Sequence, residues 1–201
     1  MKFVLIIPLL LIHWTTSHAQ SYEAVQKLKA IEGQYEVDEN GNVSYIKIID
    51  SIGLAKDEIF SRVLAFFTYN YTNGESVIQI QDKEAGQIIG KGIFLNVYLG
   101  QYYTNLYEYD TWHIVRVDVK DNRVRVIITL NNYRSRNTQG NGIGTEERIT
   151  ANYPFQKKGV AKNHYAMAFL ESHKRTLETF ATIEKAIREG TVGGAAEKKD
   201  W

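Results

Sequence analysis

The residues that could do chemistry in this chain are few, and most are better explained by folding. His113, His164 and His173 are the histidines outside the first twenty residues. A zinc site needs three or four ligands converging on one point. His164 and His173 fall half a turn out of phase on one expected helix, so they face opposite ways. His113 lies on the apolar face of an expected strand and reads as a hydrogen-bonded core residue. Gly86-Gln-Ile-Ile-Gly90-Lys91-Gly92 invites a phosphate-loop reading, but that loop needs four residues between its glycines and Ser or Thr after the lysine. Here Gly92 follows Lys91, and the segment continues as a strand, so no helix N-terminus meets an anion. Glycine in a strand marks close backbone approach. Glu36-Val-Asp38-Glu-Asn40-Gly41 mimics the start of a calcium loop, yet Lys47 stands where the bidentate glutamate belongs. It reads as a hairpin turn. No metal and no cofactor are expected.

Catalysis by serine or by paired carboxylates would have to assemble from distant segments. No Gly-x-Ser-x-Gly elbow is present, and Asp57-Glu58 and Glu146-Glu147 read as solvated charges. The densest feature is aromatic: Tyr98, Tyr102, Tyr103, Tyr107, Tyr109 and Trp112. Exposed, such side chains stack on sugars or anchor peptides. In a strand they also serve as ordinary core.

The elements that hold these residues sit behind an address. Lys2, the apolar run Phe3–Ile12 and the small residues Ser17 and Ala19 form a secretory signal, with cleavage expected before Gln20. The run is too short to span a hydrocarbon core about 30 Å thick. No membrane insertion is therefore expected after cleavage, and the protein is expected in the periplasm or outside the cell. With no cysteine, the 201-residue chain has neither a disulfide scaffold nor the residue that a bacterial lipid anchor at the cleavage site would need. Its formal charge is +1, and losing Lys2 removes even that, so nucleic acid is not an expected partner. Apolar residues at 44% predict a packed domain.

Periodicity predicts a helix over 21–33, a hairpin turning at Asn40-Gly41 into a strand 43–50, and an amphipathic helix over 56–71. Strands follow at 76–81 and 87–99. A hairpin over 111–131 then turns at Asp121-Asn122, which sets Val119 against Val124, Val117 against Val126, Val115 against Ile128 and His113 against Leu130. Residues 135–152 read as a Gly/Asn-rich loop. A long helix over 161–189 carries the stripe Phe169, Leu170, Leu177, Phe180, Ile183 and Ile187, and Gly190 stops it. The expected layout is a signal peptide (1–19), an N-terminal segment (20–42), one domain (43–190) and a flexible tail (191–201). The fold class is α+β, an antiparallel sheet with helices on one face in βαββββα order.

Val43-Ser-Tyr-Ile-Lys-Ile-Ile-Asp50, Gly53-Leu-Ala-Lys-Asp-Glu-Ile59, Asp82-Lys-Glu-Ala-Gly-Gln-Ile-Ile-Gly-Lys-Gly92 and Val117-Asp-Val-Lys-Asp-Asn-Arg-Val-Arg125 resemble one family. It is a domain of unknown function with a TATA-binding-protein-like (TBP-like) fold, found in exported proteins of Bacteroidetes-type bacteria. The resemblance covers roughly 43–133 and implies the same βαββββα order, with no catalytic residues to transfer. Two positions depart from it. Ala55 replaces a Ser or Thr helix cap, and Asn122 replaces a turn glycine.

On the hairpin face opposite the valines stand Trp112, Ile114, Arg116, Arg125 and Ile127. If both helices cover the valine side, these five residues form a candidate binding patch, with 135–152 as a possible lid. The function expected from the sequence is an exported, non-catalytic interaction module for a protein, peptide or glycan. An envelope hydrolase whose residues converge only in the fold is the alternative.

Overall fold

The computed structural model describes residues 15–71, 77–139, 144–152, 161–192 and 195–196. Most of the signal segment, the centre of the 135–152 loop and most of the tail lie outside them. Helix α1 (Thr15–Ala30) leads into β1 (Glu36–Val37), β2 (Val43–Ile49) and α2 (Lys56–Asn70). Strands β3 (Val77–Asp82), β4 (Gln87–Tyr102), β5 (Asn105–Lys120) and β6 (Arg123–Asn137) follow, then β7 (Thr145–Arg148) and α3 (Ile149–Asn152). Helix α4 (Ala161–Glu189) and the short pair β8 (Thr191–Val192) and β9 (Ala195–Ala196) complete the order. All pairings in the main sheet are antiparallel, in the order β1-β2-β6-β5-β4-β3, with β7 beside the end of β6.

The β5–β6 hairpin has the register that a two-residue turn dictates: Val119 with Val124, Val117 with Val126, Val115 with Ile128 and His113 with Leu130. All eight are buried under α2 and α4. From α2, Ile59, Val63, Phe66 and Phe67 point into this layer. The α4 stripe departs from expectation at Leu177, which is 44% exposed. Ser172, His173 and Thr176 take the buried positions instead. The two hydroxyls do so without cost in unsatisfied groups, because Ser172 donates to the Ala168 carbonyl and Thr176 to the Ser172 carbonyl.

The glycines of β4 are seats for rings. A Cβ on Gly90 would come within 2.5 Å of Phe67 Cε1, and one on Gly92 would strike Tyr71 and lie 2.8 Å from His113 Nε2. The Gly86–Gly92 stretch is thus a packing device. The Glu36–Gly41 stretch is the β1–β2 turn, in which Asp38 Oδ1 accepts the amides of Asn40 at 2.9 Å and Asn42 at 2.8 Å.

The two departures at Ala55 and Asn122 prove to be one arrangement. Ala55 makes no side-chain cap, but Asp121 of the β5–β6 turn accepts the Lys56 amide at 2.8 Å. Asn122, at φ 62°, accepts the Gly53 amide at 2.7 Å through its side chain and donates its own amide to the Leu54 carbonyl at 2.9 Å. A glycine at 122 would make the turn but not the side-chain bond. The hairpin tip therefore caps α2 from across the chain.

The 135–152 segment is more ordered than a loop. Strand β6 runs on to Asn137, and β7 pairs with it from Asn132 to Ser135. Its residues are held by polar contacts, such as Arg136 with Glu108 at 2.8 Å and Ser135 with Thr145 at 3.0 Å, rather than by apolar alternation, which is why it reads as loop. Its described residues extend the sheet sideways.

Candidate functional site

Because both long helices pack on the valine side, the other face of the sheet has no helix over it among the described residues. The register places an isoleucine row straight across five strands. Ile46 of β2 pairs with Ile127 of β6, Ile127 with Arg116 of β5, Arg116 with Ile89 of β4, and Ile89 with Ile80 of β3. At the usual strand spacing this row is about 19 Å long. Ile46 and Ile80 are 48% and 46% exposed, while Ile89 and Ile127 are half-buried. Large apolar side chains on a solvated sheet face do nothing for the core below them.

The adjoining row is charged: Ile48, Arg125, Asp118, Gln87 and Asp82. Asp118 holds it together, accepting Arg116 Nε at 2.9 Å, Arg125 Nη2 at 2.7 Å and Gln87 Nε2 at 3.1 Å. Burial opposes ionisation of Asp118, but these bonds outweigh it and keep its carboxyl below the usual range. A hollow of about 260 Å³ opens at this end, walled by Ile48, Asp118, Lys120, Arg123 and Arg125. Basic residues outnumber acidic ones on the face: Arg116, Lys120, Arg123, Arg125, Arg134 and Lys91, against Asp118, Asp82, Glu36 and Glu146, with Arg123 paired to Asp50 at 2.8 Å.

The five residues expected as a patch are brought onto this one face. Ile114, Arg116 and Ile127 are half-buried and Arg125 is exposed. Trp112 differs from the expected anchor. Lys91 Nζ lies 4.2 Å from its ring centroid, Arg134 stacks at 5.6 Å, and its indole N–H donates to Glu146 of β7 at 3.0 Å. The ring is already clasped by cations from its own chain. Sequence reading confined to one hairpin missed Ile46, Ile80 and Ile89, which belong to the same row.

The remaining candidates resolve into structure. The aromatic run does not form one surface: Tyr109 is buried, Tyr102 and Tyr103 are exposed at the β4–β5 tip, and Trp112 sits on the open face. Each body histidine meets a tyrosine hydroxyl: His113 with Tyr71 at 3.2 Å, His164 with Tyr109 at 3.1 Å, His173 with Tyr45 at 3.2 Å. Burial lowers all three imidazole pKa values, His113 to about 4. Neutral, tyrosine-bonded imidazoles on three separate partners are packing groups. Unforeseen from sequence is Asp110, which is fully buried. Its carboxylate takes the Asn96 amide at 2.7 Å and Arg134 at 2.9 Å, pinning the β4 bulge where Asn96 adopts φ 53°.

Residues 45–134 match the model of a family described as a domain of unknown function (DUF4468) with TBP-like fold. Among solved structures, the chain is similar to a DUF4468 family protein from Bacteroides ovatus at 12% identity and a TM-score of 0.54. That likeness spans 83% of this chain and 95% of the other. It is also similar to a TBP-like protein from Parabacteroides distasonis at 17% identity and a TM-score of 0.53. There the shares are 75% and 96%. At these identities the likeness is one of fold. No curated protein matches the chain.

Proposed function

We propose that this chain, whose residues 45–134 belong to the DUF4468 family with its TBP-like fold, is an exported, non-catalytic interaction module. Since a fold does not carry a function, the reading rests on one surface feature. This is the exposed isoleucine row Ile46–Ile127–Arg116–Ile89–Ile80, interrupted and flanked by cations. Its length of about 19 Å equals roughly thirteen residues of α-helix. The occupant we infer is an amphipathic helix of a partner protein, with an apolar stripe on the isoleucines and carboxylates reaching Arg116, Arg125 and Lys91. Charge complementarity favours this occupant over a second copy laid face to face, which would oppose like cations.

The test uses a fluorescent helical peptide of four turns with leucines along one stripe and glutamates beside it. A twin peptide with lysines for the glutamates is the control. Anisotropy should report binding of the acidic peptide alone, weakened by Arg116→Gln, which keeps a hydrogen-bond donor beside Asp118, in a protein that still melts cooperatively. Equal affinity for both peptides, or none for either, would overturn the reading. The export half is checked by N-terminal sequencing of the protein recovered from cells, which should begin at Gln20; recovery of Met1 would refute it.

A further inference from the structure

We infer that the chain also pairs with itself, strand β2 of one copy lying antiparallel to β2 of a second across a two-fold axis at Lys47. The argument is independent of what the open face holds. It starts from the edges of the sheet. An edge strand presents unpaired N–H and C=O groups, and proteins ordinarily blunt such edges. Strand β3 at one edge is blunted by a bulge between Ile78 and Ile80. Strand β2 near the other edge is regular along its whole length.

Only the beginning of β2 is covered, because β1 pairs with Val43 and Ser44 and no further. The turn fixes which way the backbone groups point. Asp38 donates its amide to the Asn42 carbonyl at 3.1 Å. Alternation along an antiparallel pair then turns the Ser44 groups toward β1 and those of Val43, Tyr45, Lys47 and Ile49 toward β6. The N–H and C=O of Ile46 and Ile48 therefore point outward. No backbone partner for them exists among the described residues.

These two residues are self-complementary. With Ile46 opposite Ile48 of the second copy, and the reverse by symmetry, two donors and two acceptors on each chain are all satisfied. The side chains of Ile46 and Ile48, each 48% exposed, meet their counterparts as two cross-strand pairs. The chain leaves the edge on both sides of this seam. At its start β1 ends, and at its end Ser51 turns away at φ 56°. Lys47 faces Lys47 of the second copy on the helix side, and each carries its own counter-ion, Glu184 at 2.7 Å. So short a seam falls below the roughly 1,200 Å² of a stable complex, so the dimer should be weak and concentration-dependent.

The absence of cysteine makes the test clean. Directly opposed residues at a non-hydrogen-bonded site have Cα atoms about 4.5 Å apart, within disulfide reach. Lys47→Cys, as recovered from cells and oxidised with glutathione disulfide, should cross-link to a covalent homodimer. Lys83→Cys, exposed on the β3–β4 turn, should not exceed the collisional background. Sedimentation of the wild type should show a mass rising toward the dimer. Ile48→Pro removes only the outward N–H, as an edge strand tolerates, and should sediment as a monomer with its far-UV spectrum intact. If the proline disturbs that spectrum, Ile46→Lys with Ile48→Lys replaces it and should be monomeric. A wild type that stays monomeric to about 1 mM, cross-linking of Lys47→Cys no faster than Lys83→Cys, or a dimer that survives in a folded edge variant would each overturn the inference.

Discussion

Along the β5–β6 hairpin, Val115, Val117, Val124, Val126 and Ile128 are fully buried on one face of the sheet. On the other face of the same strands and their neighbours, Ile46, Ile48 and Ile80 keep about half of their surface exposed. Both faces are rich in β-branched residues, so strand propensity alone does not separate them. What separates them is the company they keep. The covered face meets Phe66, Phe67, Phe169 and Ile183 from α2 and α4, whereas the open face intersperses its isoleucines with Arg116, Arg125 and Asp118. Apolar residues under a helix are there to fold the chain. Apolar residues among charges, uncovered, are available to a partner.

The largest effects should come from breaking the covered face. Val126→Asp would bury a charge with no partner and cost several kcal/mol, enough to abolish a cooperative melt. Its neighbour Ile127→Asp points the other way, beside Arg116 and Arg125, and should change stability by less than about 1 kcal/mol. Equal damage from the two would mean that the faces are not distinct. Asp110→Ala comes next, because it leaves Arg134 and the Asn96 amide facing an emptied, buried site. A loss of about 3 kcal/mol in urea unfolding is expected.

Acid should separate the faces as well. The buried imidazole of His113 has its pKa lowered to about 4 by burial, below the unfolded value of 6.5. The unfolded chain therefore binds the extra proton between those values. The stability tied to His113 is complete above pH 6.5, falls as pH drops toward 4, and is flat below it, a change of about 3 kcal/mol. His164 and His173 shift in the same direction. Chemical denaturation from pH 7 to 4 should show this slope, and His113→Gln should reduce it, leaving the part that belongs to His164 and His173. The smallest effect concerns the α2 cap: Asp121→Ala should cost about 1 kcal/mol in thermal unfolding.

Much of the fold was legible because its signals are local. A two-residue turn fixes register outright, so the pairing of Val117 with Val126 follows from Asp121-Asn122 alone. The candidate site was legible only in part. The alternation of Arg116 and Val117 tells which side is open, but the row on it includes Ile46, Ile89 and Ile80 from three other strands. Ile46 joins it because β2 crosses to lie beside β6, a pairing between distant segments that no local pattern encodes. Ile89 and Ile80 join it through the β4–β5 and β3–β4 pairings, whose registers shift at bulges. Strand β7 and the far half of β5 were illegible for another reason. The far half of β5 is joined to β6 by Glu108–Arg136 and Asp110–Arg134 ion pairs, and β7 to β6 through contacts such as Ser135–Thr145, all of which look like polar loop in sequence. Leu177 was misplaced because Ser172 and Thr176 can be buried once their hydroxyls bond their own helix.

The most direct test of the open face uses isoleucine methyl groups labelled with carbon-13 and the acidic helical peptide as titrant. The methyl resonances of Ile46, Ile80, Ile89 and Ile127 should shift together with one affinity, while those of Ile59, Ile128 and Ile183 stay fixed. Shifts confined to the buried isoleucines, or an open-face set that does not move at saturating peptide, would contradict the account.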